Sequence, residues 1–257
     1  AAMAMASLAM RWSTALFLHA LIAAAHPPEP VGDHCLLARR ALSRRLGRDL
    51  LAAEGASAET CDEACPPCAE RGTCMLWGDP HIHVFDGRAH LRVLEEGDFW
   101  IVRGNCVHIQ GRYGATDSGI PSVVQAVAVG GAFLQGHTLI IERDGGRVLW
   151  DDEEIFRSFP SAFGVGGLIQ ARYDDDGEHL DPALKAYPLR NIEADLPFGV
   201  RLSVNRWPDH LDLLVSMRPL LGGQDGHCGN FNALGDDDTM ELISARMGGA
   251  EVLASEE

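Results

Sequence analysis

The sequence predicts an all-β protein: an antiparallel β-sandwich preceded by a small cysteine-containing, partly helical N-terminal segment. Three observations predict it. From Cys74 onward the hydrophobic period shifts from 3.6 toward 2. The apolar runs are short, rich in β-branched and aromatic residues, and separated by turns such as Asp144-Gly145-Gly146 and Asp174-Asp175-Asp176-Gly177. No long helical pattern interleaves them, which favours antiparallel sheets packed face to face over alternating strands and helices.

The elements follow in chain order. An Ala- and Met-rich start, then Arg11, leads into an apolar run over 14–25 that ends in small residues. At about 12 residues the run falls short of the roughly 20 that span a bilayer. Residues 1–25 therefore read as a secretory signal peptide cleaved after Ala25, with a single-pass anchor as the alternative. Secretion and no stable membrane insertion after signal cleavage are the corresponding expectations.

Residues 26–73 form a distinct segment. A Pro-rich linker over 26–31 precedes a helical pattern over 35–54, with Leu36, Leu42, Leu46 and Leu50 on one face and Arg39, Arg40 and Arg44 on another. A membrane-surface helix, a dibasic processing site and a short helix tied by disulfides all fit. The cluster Cys61-x-x-x-Cys65-Pro66-Pro67-Cys68 follows. Ordinary disulfides, a redox dithiol and a zinc knuckle are its readings, and the extended Pro-Pro spacer also leaves an interchain disulfide open. The main domain is expected over 74–245, with strands at 81–85, 99–102, 107–112, 123–129, 138–142, 147–150, 167–171, 200–204 and 211–215, and a tail over 246–257.

Hydrophobic residues at 46% and charged residues at 23% argue against disorder. The net charge of -16 excludes nucleic-acid binding, because carboxylates in that excess repel phosphates and anionic lipid while attracting cations. Seven cysteines in a secreted chain imply disulfides, and the odd number leaves at least one unpaired within the chain.

Asn230, Asn232, Asp237 and Asp238 place four side-chain oxygen donors within nine residues, in a loop whose glycines let a carbonyl such as that of Leu234 turn inward. That donor set suits a hard cation, and irregular geometry favours Ca2+ over Mg2+. A solvated acidic turn is the plainer alternative. An EF-hand fits poorly: Leu234 occupies its fifth position, and Pro219, Gly222 and Gly223 precede the loop where a helix is needed.

Two signatures carry a family resemblance. The first is Cys74-Met-Leu-Trp-Gly-Asp-Pro-His-Ile-His-Val-Phe-Asp86-Gly87, and the second is Gly226-His-Cys228-Gly-Asn230-Phe-Asn232-Ala-Leu-Gly-Asp-Asp237-Asp238. Together they resemble the opening and closing signatures of the von Willebrand factor type D (VWD) domain, with Gly97-Asp-Phe-Trp-Ile-Val102 in place of its aromatic strand. The resemblance covers about residues 74–238. It implies a VWD sandwich, a Cys74–Cys228 disulfide, Asp86 as a further Ca2+ ligand, and an extracellular protein or matrix partner for a structural or adhesion module without catalysis. It departs from the family at Asp98 and Asp225, where cysteines are expected, which strips Cys106 of its usual partner. Some mucin members cleave themselves between the Asp and Pro that are Asp79 and Pro80 here; slow or no cleavage is expected.

One enzyme reading competes. Asp79-x-His81-x-His83 puts two histidines on one strand face and resembles the first metal strand of amidohydrolases. That metal-dependent hydrolase fold needs an eight-stranded α/β barrel of about 250 residues, and no alternating helices are present to build it.

Overall fold

A computed structural model describes residues 70–87, 90–143 and 146–247. The expected signal peptide, nearly all of the 26–73 segment with Cys35, Cys61, Cys65 and Cys68, and residues 248–257 lie outside the described residues.

The fold is all-β, one continuous curled antiparallel sheet of fifteen strands. In chain order they are β1 (Gly72–Trp77), β2 (His81–His83), β3 (His90–Arg92), β4 (Gly97–Gly104), β5 (His108–Gly114), β6 (Val123–Gly130), β7 (Leu139–Glu142), β8 (Val148–Trp150), β9 (Glu153–Glu154), β10 (Ser161–Val165), β11 (Ile169–Asp174), β12 (Asn191–Asp195), β13 (Arg201–Arg206), β14 (Leu211–Met217) and β15 (Gln224–Asp225). One α-helix follows among the described residues, α1 (Met240–Met247).

The strands fall into two runs. Eight are joined in the order β3-β2-β1-β14-β13-β12-β11-β10, and seven in the order β9-β8-β7-β6-β5-β4-β15. A single bridge, Leu211 against Val124, connects β14 to β6 and so the two runs. Most of the strands turn an apolar face to a shared core. On β1, Cys74 and Leu76 are fully buried, while Thr73 before them is exposed and Met75 between them is half-buried. On β5, Ile109 and Tyr113 are buried and Arg112 is exposed. β14 is flanked by β1 on one edge and β13 on the other, so its run of Leu211, Leu213 and Val215 is wholly buried.

Several elements are additional to those expected from the sequence. β1 starts at Gly72, ahead of the expected boundary at Cys74, and α1 crosses the expected boundary at 245. β3, β10 and β12 lie in stretches where no strand is expected. Near the expected strand over 167–171, Gly167 instead makes a turn at φ 77, and β11 begins at Ile169. The two positions that depart from the resemblance have structural roles of their own. Asp98 takes a bidentate pair of hydrogen bonds, at 2.8 and 3.0 Å, from Arg112 directly across the β4–β5 ladder. Asp225 accepts the N–H of Gly226 at 2.8 Å at the mouth of the closing loop.

Candidate functional site

The site lies where the first and last parts of the domain meet. A β-bulge between Trp100 and Val102 turns the carbonyls of Trp100 and Ile101 out of the β4–β5 ladder. They accept the N–H groups of His227 and Cys228 at 2.9 and 3.1 Å, so the closing loop docks on β4. The approach needs glycine at 226: φ there is 131, and a Cβ would stand 2.6 Å from the Ile101 oxygen.

The opening segment is clamped onto the same loop. Cys74 and Cys228 form a disulfide spanning 154 residues of sequence. The Phe85 N–H donates to the Cys228 carbonyl at 3.0 Å, and the Phe85 and Phe231 rings stack with centroids 4.7 Å apart. Cys106 is disulfide-bonded as well, so it is not a free thiol.

All six residues expected to hold a cation come together here in one hydrogen-bonded network. Asp86 accepts the N–H groups of Asn232 and Ala233 at 3.1 and 2.9 Å, one on each carboxylate oxygen. Asp238, fully buried, accepts the Asn230 N–H at 3.1 Å. Asp237 accepts the side-chain amides of Asn230 and Asn232 at 3.0 and 2.8 Å. The Asn230 and Asn232 side-chain oxygens take the N–H of Asn232 and Leu234 in successive Asx turns. The Leu234 side chain is 63% exposed, while its carbonyl accepts the Asp237 N–H at 3.3 Å.

These hydrogen bonds come from neutral N–H groups, which orient the carboxylates and amide oxygens without cancelling the negative charge. Three carboxylates with amide and main-chain oxygens fit a hard cation such as Ca2+. Gly229 makes the cradle: at φ 80 its missing Cβ would stand 2.3 Å from Asp238 Oδ2. Phe231 and Ala233 hold left-handed backbone at φ 53 and 69, strain of the kind that persists where surroundings over-determine a loop. Among the described residues, no group of three or more His, Cys, Asp and Glu side chains is arranged to hold a metal; half of the present donor set is amide or main-chain oxygen.

The Gly78-Asp79-Pro80-His81 corner sits beside this clamp. Its backbone is pinned by Asp212, fully buried, which accepts the Gly78 N–H at 3.0 Å and the Trp207 indole N–H at 2.7 Å. Burial works against a charge on His210, but Asp212 and Asp209 outweigh it and raise that imidazole's pKa. Asp79 itself contacts His81 at 3.0 Å and is hydrogen-bonded by Arg92. Desolvation works to raise the Asp79 carboxyl, but Arg92 and then His81 hold it below the ordinary carboxylate range.

Sequence reasoning missed the groups that support the loop. His227 is buried, and its Nδ1 shares a hydrogen bond of 2.9 Å with the Tyr113 hydroxyl. Burial lowers the imidazole to about 4. The signal for Asp212 was present, since a lone carboxylate inside the apolar run Leu211-Asp212-Leu213-Leu214-Val215 demands buried partners. Among the described residues no helix is long and apolar enough to cross a membrane. No protein-family model matches the chain, and no curated protein matches it.

Proposed function

We propose that this chain is a secreted, calcium-binding structural or adhesion module of the von Willebrand factor type D class, without catalytic activity, whose two runs of strands pack as a sandwich. The observation that carries the reading is the meeting of the two signatures. The opening signature contributes Cys74, Phe85 and Asp86, and the closing one contributes Cys228, Phe231 and the loop from Asn230 to Asp238. A cation bound by Asp86, Asn230, Asn232, Asp237, Asp238 and the Leu234 carbonyl would neutralise the three carboxylates of this network and lock the clamp. The module then offers rigid surface loops to an extracellular protein or matrix partner. Fold-level analogy alone supports that last step.

Titration calorimetry of the full chain with Ca2+ tests the proposal. One ion per chain is expected, bound more tightly than Mg2+, with binding lost in Asp238→Asn. Saturable Ca2+ binding that persists unchanged in that variant, or its absence from the wild-type chain, would refute the site.

A further inference from the structure

Apart from the calcium loop, the β1–β2–β3 edge carries an unusual face. Leu76, Ile82 and Leu91 are paired across these strands and buried. The strand alternation therefore sends Trp77, His81, His83 and His90 to the opposite, outer face. His83 lies directly across from His90, and His81 across from Trp77 and Arg92. The three imidazoles crowd together: ring centroids are 5.1 Å apart for His81 and His90 and 5.0 Å for His83 and His90, and Trp77 stacks on His90 at 5.6 Å.

The nitrogen geometry is more specific than the crowding. His81 Nδ1 and His90 Nε2 are 3.1 Å apart. Two imidazole nitrogens on one metal, each at about 2.0–2.1 Å, stand roughly 2.9–3.4 Å from one another between right-angle and tetrahedral geometry. The other nitrogen of His81, Nε2, faces Asp79 Oδ1 at 3.0 Å. A carboxylate there accepts a hydrogen bond from Nε2–H, which leaves Nδ1 as the lone-pair nitrogen, hydrogen-bonded to His90 Nε2 until a metal takes the place of that proton; this is the arrangement that orients metal-bound histidines. Asp79 also pairs with Arg92, so the one guanidinium across from His81 is matched by a carboxylate.

We propose that His81 and His90, joined by His83, form a surface site for a divalent transition-metal ion of the imidazole-preferring class, Cu2+ above Ni2+ and Zn2+. His81 and His90 supply the preformed pair. No three such side chains already surround one point among the described residues, so His83, exposed at the rim, completes the set only by side-chain rotation, and water fills the remaining positions. The site needs neither Asp86 nor the 230–238 loop, and so stands or falls separately from the calcium reading.

Titrating the full chain with Cu2+ in calcium-containing buffer, while following tryptophan emission, tests it. Trp77 stacks on two of the ligands, so a bound Cu2+ quenches it. Quenching that saturates at one ion per chain is expected, with Zn2+ in competition and nitrogen hyperfine structure in the Cu2+ spin-resonance spectrum. His81→Asn and His90→Asn should each weaken binding at least tenfold. Asp79→Asn, which touches no metal, should weaken it by about 10- to 100-fold as a lost orienting carboxylate does. His179→Asn, elsewhere on the surface, should change nothing. Cu2+ binding of equal strength in wild type, His81→Asn and His90→Asn, all with unchanged melting temperature, overturns the proposal, as does an absence of saturable binding.

Discussion

The Asp86 carboxylate accepts the main-chain N–H of Ala233 at 2.9 Å across 147 residues of sequence, and so ties the end of the opening segment to the strained centre of the closing loop. With its second oxygen on the Asn232 N–H, Asp86 orders the loop through hydrogen bonds alone. Replacing it should therefore act twice. Asp86→Ala is expected to cost about 1 kcal/mol in chelator, from exposed hydrogen bonds, and to abolish stabilisation by Ca2+. Denaturant melts with and without Ca2+ separate the two effects.

The Cys74–Cys228 bridge closes a loop of 154 residues. On the chain-entropy model such a loop contributes about 4–5 kcal/mol by restricting the unfolded chain. The double variant Cys74→Ser, Cys228→Ser should lose a stability of that order, and non-reducing peptide mapping of the wild type should recover the two cysteines in one linked fragment. Both cysteines alkylating without reduction would contradict the pairing.

Cleavage between Asp79 and Pro80 should be absent at neutral pH and at most slow at about pH 5. Attack requires the Asp79 carboxylate to turn onto its own carbonyl, yet Arg92 and His81 hold it. Arg92→Ala should free it and speed any acid cleavage. Reduced gels and amino-terminal sequencing at Pro80 read the outcome, and rapid cleavage of the wild type at neutral pH would show that the pairing does not protect the bond.

His227 sets a pH dependence. Its folded pKa, about 4, lies below the ordinary value of 6.5, so the unfolded chain binds the proton more readily. Stability is then fully present above about pH 6.5 and falls as pH drops toward 4, by up to about 3 kcal/mol. His210 shifts upward instead, so its contribution is retained throughout that window and lost only at higher pH. His227→Gln, with no proton to take up, should flatten the slope between pH 4 and 6.5.

How far the sequence revealed this arrangement depended on the kind of signal. Strands with plain alternation or continuous apolar runs were legible: the expected 123–129 and 211–215 lie within β6 and β14. β12 was not, because its buried Asn191 reads as polar until its partners Ser203 and Asn205 on β13 are seen. Likewise β10 pairs on one edge only and carries exposed Ala162 and Gly164, too little apolar pattern to mark a strand. The oxygen donors of the loop were readable because they cluster in sequence. Their supports were not: the bulge between Trp100 and Val102 and the Phe85–Phe231 stack join residues that only the fold brings together, and Asp212 signals a buried carboxylate in the sequence without showing that Gly78 and Trp207 satisfy it.

Thermal unfolding of the full chain in Ca2+ and in chelator tests the central claim most directly, with Asp238→Ala run alongside. An ion that binds only the folded state stabilises it by about 2.7 kcal/mol at a hundredfold excess over its dissociation constant. The wild type should melt higher in Ca2+ than in chelator, and Asp238→Ala should melt at the same temperature in both. Superimposable wild-type curves with and without Ca2+ would contradict the calcium-locked clamp.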